Sequence, residues 1–250
     1  MGPTALAFGV LALPGATGRD LGFVLAAQAV PFVLLMPLGG VLADRRSRAA
    51  VIAVSDVILG ALVVVQGLLL AEGTATVPVL AALNVAGGAL NALWWPAFPG
   101  LVPAILDDRD LQSGNSLVAV VSNVAFIGGS AVAGVLVATV GAGQALMVDG
   151  ASFLVAGALV YSMRGVTRPT PSGESMVRDL REGWSTFVSL RWLWVLVAVW
   201  SVINGVFRGV FEVGGPVLMR RSFDGPTSWA VLQTAMAVGF LVGEIGRAHV

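Results

Sequence analysis

The 250-residue chain has no cysteine, no lysine, one histidine, and charged side chains at only 11% of its positions. Each scarcity removes a class of chemistry. Without cysteine there are no disulfides and no thiolate metal sites. Without lysine, a glycine-rich phosphate loop of the ATPase type cannot be completed. A single histidine, His249, cannot supply the ligands of an intramembrane metalloprotease. An intramembrane aspartyl protease needs Gly-x-Gly-Asp, whereas Asp149 follows Leu146, Met147 and Val148. No enzyme, metal site or cofactor is therefore expected. The 14 basic and 14 acidic residues balance, which leaves no excess charge to attract nucleic acid.

What the chain has instead is apolar length. Hydrophobic residues make up 57% of it and the mean hydropathy is +0.90, while a typical soluble domain carries roughly 25% charged residues. This is the composition of an all-α membrane protein. Every basic residue is arginine, and alanine, glycine and valine are abundant. That bias suggests a GC-rich bacterial genome and places the chain in a bacterial inner (cell) membrane.

Residues 37–48 are the clearest landmark. A long apolar run stops at Asp44, and Arg45, Arg46 and Arg48 follow at once. Residues 21–42 before this elbow and 49–71 after it each offer about the 20 apolar residues that cross a bilayer, so the elbow is the turn of a membrane hairpin. Further spans are predicted at 77–97, 112–140, 145–163 and 193–219, with an eighth beginning near Trp229. Residues 3–13 are about half of spanning length and lack the basic region and cleavage site of a signal peptide. They read as the back end of a truncated first span. Residues 244–250 back-translate to a common sequencing-adapter sequence and are expected to be an artefact.

The layout is thus a six-span half over residues 1–163, a polar linker at 164–191, and the start of a second half at 192–243. In the linker, residues 167–173 predict a flexible turn. Val177, Leu180, Trp184 and Phe187 then recur at helical spacing, which predicts an amphipathic helix at the membrane surface. Alternate loops carry nine arginines on the elbow side and three on the other, Arg19, Arg220 and Arg221. By the positive-inside rule the Asp44 loop and residues 164–191 are cytoplasmic.

Gly40-Val-Leu-Ala-Asp44-Arg45-Arg46-Ser47-Arg48 resembles the loop signature between the second and third spans of the major facilitator superfamily, departing from it at Ser47 and Ala49. Trp95-Pro96-Ala97, Leu101-Val102-Pro103, Leu111, Asn115 and Leu117, with Asp149, Ser152 and Phe153, are similar to its drug, macrolide and siderophore exporter branch. The resemblance implies two six-span bundles working by alternating access, a small-molecule substrate, proton coupling, and a monomer at full length. It further implies that Gly40, Asp44, Arg45 and Arg48 form a conformational latch, and that the first, fourth, seventh and tenth spans line the cavity. A non-transporting scaffold and an importer of another solute are the alternatives.

Polar residues inside the spans supply the remaining candidates, because they are costly in lipid and usually face protein or water. Asn84, Gly88, Asn91 and Trp95 share one helical face in the fourth span. Ser201, Asn204, Arg208 and Glu212 do so in the seventh. Asn84, Gly88, Asn91, Trp95, Asn204 and Arg208 are therefore expected to line a substrate cavity, with Arg208 and Glu212 able to pair. Intramembrane carboxylates form the proton relays of transporters, which makes Asp149, Glu212 and Asp56 the candidates for proton coupling. In the fifth span Ser122, Ser130, Gly134 and Ala138 form a small-residue stripe suited to close helix packing.

Overall fold

A chain in hydrocarbon must satisfy each backbone N–H and C=O internally, and helices do this within one segment. The computed structural model describes residues 1–165 and 176–247, and every regular element among them is helical. In order these are α1 (Gly2–Ala12), α2 (Gly18–Arg45), α3 (Arg48–Ala71), α4 (Val77–Ala97), the short α5 (Leu101–Ile105), α6 (Leu111–Thr139) and α7 (Ala142–Ser162). Then come α8 (Met176–Ser189), α9 (Arg191–Arg208), a π-helical turn (Gly209–Gly214), α10 (Gly215–Ser222) and α11 (Pro226–Arg247). Among the described residues, six segments are long and apolar enough to cross a membrane: α2, α3, α4, α6, α7, and the continuous stretch from α9 to α10.

The ends of these helices follow from local chemistry. Thr17 caps α2, donating from its N–H and its hydroxyl to the Asp20 carboxylate at 2.8 and 2.7 Å, a capping box that satisfies otherwise orphaned donors. Ser47 caps α3 by accepting the Ala50 N–H at 3.4 Å. Gly141, at φ +99°, turns α6 into α7. Only Val140 and Gly141 separate α6 from α7, and Gly143 belongs to α7. The linker's 167–173 turn lies outside the described residues. Its predicted helix forms as α8, with Trp184 and Val188 exposed.

Lipid tails are as apolar as leucine, so helices associate through close packing of small residues. α3 and α7 do so in one repeated register. A methyl group on Gly60 would lie 2.8 Å from the Gly150 carbonyl oxygen, one on Gly67 2.6 Å from that of Gly143, and one on Gly157 2.9 Å from that of Ala53. Residues 53, 60 and 67 thus meet 157, 150 and 143, and each row has a spacing of seven. A seven-residue repeat keeps one face toward an antiparallel partner along its length. α2 packs on α4 in a similar way: side chains at Gly39 and Gly88 would collide with the backbone carbonyls of Ala92 and Gln28. α2 also carries Pro31 and Pro37 in its interior, each of which removes a backbone hydrogen bond.

α1 is the most enclosed element. Its residues from Thr4 to Leu11 are all buried, among α2, α6, α7, α10 and α11. A helix that is apolar on every side belongs in such a place.

The arginine-rich turns gather at one end of the bundle. Ser47 donates to the Arg164 carbonyl at 3.3 Å and Arg48 to the Gly100 carbonyl at 2.8 Å, which brings the elbow together with the C-termini of α4 and α7. At the opposite end Gly18 meets Val217, and Gly225 meets Phe8. Contacts of α1, α2 and α6 with α10 and α11 cluster there, including Gly134 of α6 against Ala230 and Pro226 of α11. α9, by contrast, buries none of its side chains.

Gly150→Val should destabilise the protein by about 2 kcal/mol or more, because the facing atom is backbone and cannot turn aside. Gly128→Ala, with open space around it, should be neutral. Thermal unfolding of the two variants in detergent checks both.

Candidate functional site

Four elements enclose a cavity of about 420 Å³: α1, α6, the seventh span at its π turn, and α11. Its walls are largely aromatic, from Phe126, Phe207, Phe211 and Trp229. Phe207 stacks on Phe211 at 5.4 Å and 8°, and Phe211 leans on Trp229 at 4.8 Å. Against this background stand a few polar groups. Thr4 and Ser130 are buried, and Gln233 donates from Nε2 to Thr4 Oγ1 at 3.3 Å, tying α11 to α1. Among the described residues Glu212 is the only carboxylate on the wall. An apolar chamber with few convergent polar groups is the usual form of a small-molecule site.

Glu212 lies where the seventh span changes its winding. The sequence pattern predicts one continuous helix over 193–219; the structure keeps the span continuous but opens a π turn at Gly209–Gly214, two residues before Pro216. Such turns are rare and concentrate at functional sites. Arg208 and Glu212 pair as expected, Nη1 to Oε1 at 3.1 Å. Arg208 itself is 68% exposed and does not border the cavity.

None of the six residues expected to line a cavity lines this one. Gly88 is a packing residue, held against Gln28 of α2. Asn84 is buried, yet donates to the Leu80 carbonyl of its own helix at 2.8 Å; Asn91 and Asn204 do the same to Gly87 and Trp200 at 2.8 and 2.9 Å. Back-bonding to the preceding turn satisfies an asparagine in the membrane without water or a partner helix, so its presence does not mark a cavity. Trp95 is 54% exposed and stands edge-on to Trp94. The cavity-lining side chains that the polar stripes did not reveal are Thr4, Gln233 and the four aromatics. The nearest sequence signal is the cluster Gly209, Gly214, Gly215 and Pro216 in the seventh span, which accompanies the π turn.

The other carboxylates sit elsewhere. Asp56 is buried at the α3–α7 contact, where a methyl group on Gly157 would lie 3.2 Å from its Cβ. Asp149 is buried at the α7–α1 contact, its Oδ1 3.5 Å from the Met1 amino nitrogen, and Ser152 donates to its backbone carbonyl at 2.7 Å. Neither borders the cavity.

At the elbow, Arg48 binds two acceptors at once: the Asp44 carboxylate at 3.2 Å and the Gly100 carbonyl at 2.8 Å. Its planar fork suits such double donation. Arg45 closes α2, where a cation complements the helix C-terminus, and Gly40 has open space beside it. The motif is therefore an ordered clamp between two loops.

No solved structure matches the chain. It is similar to the multidrug efflux pump Tap of Mycolicibacterium fortuitum, with 24% identity across 99% of this chain and 63% of the pump. The chain thus spans less than two thirds of that relative's length. A family model described as the Major Facilitator Superfamily matches residues 3–250, and the chain belongs to that superfamily.

Proposed function

We propose that the chain forms part of a proton-coupled exporter of drug-like or siderophore-like small molecules, working by alternating access between two halves. Residues 1–163 belong to the first half and 192–243 to the second, joined by the linker at 164–191. The observation that carries this reading is the aromatic cavity between α1 and α6 on one side and the seventh span and α11 on the other, with Glu212 as the one carboxylate among the described residues that line it. Binding where two halves meet is what lets a rocking motion expose a site first to one side and then to the other. Membership of a transporter family and similarity to an efflux pump support the same reading.

The elbow end is the cytoplasmic end in this reading, supported by the nine arginines of its loops. Among the described residues the close contacts between the halves lie at the other end, which supports a state open toward the cytoplasm. Closing that side must bring the second half against the elbow, where Gly40, Asp44, Arg45 and Arg48 act as the latch. Arg48 holds Asp44 in place for it.

Glu212 is the coupling carboxylate, because it alone of the three candidates can meet substrate and proton in the same space. Asp56 and Asp149 hold the first half together. In inverted membrane vesicles containing the full-length protein, an imposed proton gradient should drive ethidium or antibiotic transport. Glu212→Gln should abolish the gradient dependence, whereas Asp149→Asn and Asp56→Asn should keep it and lower thermal stability. Wild-type behaviour of Glu212→Gln would refute the assignment.

Arg48→Ala should slow transport roughly tenfold, since it removes the charged donor's hydrogen bond to the Gly100 carbonyl, on the order of 1.5 kcal/mol, while the exposed pair with Asp44 adds little. Arg48→Lys should recover little of the loss, because one ammonium cannot copy the fork. Initial rates at saturating substrate decide it.

A further inference from the structure

Arg208 and Glu212 are four apart, the spacing at which side chains on a helix meet, yet only Glu212 borders the cavity. Phe207 and Phe211, whose spacing also crosses the π turn, both border it. Between Arg208 and Glu212 the helix opens into the π turn, beginning at Gly209. Glu212 joins Phe211 and Pro216 on the cavity wall while Arg208 stays on the flank, and its guanidinium still reaches the carboxylate at 3.1 Å.

We infer that Arg208 is the positioning residue for Glu212: it fixes the carboxylate at the cavity wall from outside the cavity. The inference rests on the reading of this cavity as the transport site. Among the described residues no other side chain of the cavity wall is charged, and α6 contains no charged residue at all. The Met1 amino group, which also lies on the wall, is paired with Asp149, and Arg220 and Arg221 of α10 are exposed. From α2, whose Gly18 meets Val213 and Val217, come Arg19 and Asp20, and the Asp20 carboxylate is already held by Thr17. Arg208 is therefore the side-chain cation matched to Glu212. In surroundings of low dielectric a pair at this distance is far stronger than at an aqueous surface.

The coupling this produces is simple. While Glu212 is ionised, Arg208 holds it in one geometry. When Glu212 takes up a proton from the gradient it loses the ion pair, and the guanidinium and the π turn are free to rearrange. Protonation is thereby converted into a change in the shape of the wall, without any contact between Arg208 and substrate.

The test is a double-substitution cycle on the full-length protein, with ethidium as probe in inverted vesicles. The readout is the ratio of transport with a proton gradient to transport without one. Arg208→Ala should lower that ratio about tenfold, Arg208→Lys should restore most of it, and Arg208→Ala should add nothing in a Glu212→Gln background. Non-additivity of this kind is the signature of residues acting as a unit. Arg208→Gln, which keeps the length and polarity of the side chain, serves if the alanine variant folds poorly, and should fall with alanine. Independent, multiplying effects of the two substitutions would overturn the inference, as would a normal ratio in Arg208→Ala. If Glu212→Gln itself leaves gradient-driven transport intact, the reading of the cavity fails with it; if Glu212→Gln abolishes coupling and Arg208→Ala does not, only the positioning role fails.

Discussion

An apolar helix gains little by leaving lipid for another apolar helix, so this bundle depends on how closely its backbones can approach. The register of Ala53, Gly60 and Gly67 against Gly157, Gly150 and Gly143 answers that constraint. Each contact sets a glycine Cα against a backbone carbonyl, which replaces many side-chain contacts with continuous van der Waals packing. α2 and α4 use the same device at Gly39 and Gly88. With these pairs fixed, α1 can be buried on all sides, and its first two turns help to line the chamber that holds Thr4, Gln233 and Glu212.

Polar groups within the spans divide into those that satisfy themselves and those that need something else. The asparagines of α4 and α9 belong to the first kind, each returning its amide to the preceding turn of its own helix. Thr4 and Gln233 bond to each other across two helices, and Glu212 takes an arginine. The second kind ties separate elements together, and that is where a rearrangement of helices would be felt. The aromatic walls add a surface that tolerates varied ligand shapes, since rings bind through area and quadrupole more than through fixed hydrogen-bond geometry.

Much of the fold was legible in the residues. Span limits came from uninterrupted apolar length, and α4, α6 and α7 fall within a few residues of expectation. The elbow and its shared end with Arg164 followed from the arginine clusters, and the Arg208–Glu212 pair from its spacing. The cavity was not legible, because a helical wheel reports which residues share a face and not which neighbour that face meets. Gly88 reads equally well as a cavity floor and as a packing notch, and only the position of Gln28 decides. The π turn was hidden for a related reason: a one-turn change in winding leaves composition untouched, and its mark was the glycines and proline of 209–216, which also suit ordinary helix packing.

A contact made of backbone against backbone has no rotamers to exchange. α3 and α7 consequently resist sliding and behave as a single stiff stave, so that strain arising when the bundle tilts must be absorbed by a neighbour. α2 is suited to that task, because Pro31 and Pro37 interrupt its internal ladder near the level where Gln28 touches Gly88. The first half then combines one rigid strut with one pliant rail, and the pliant one leads directly into the arginine-rich elbow.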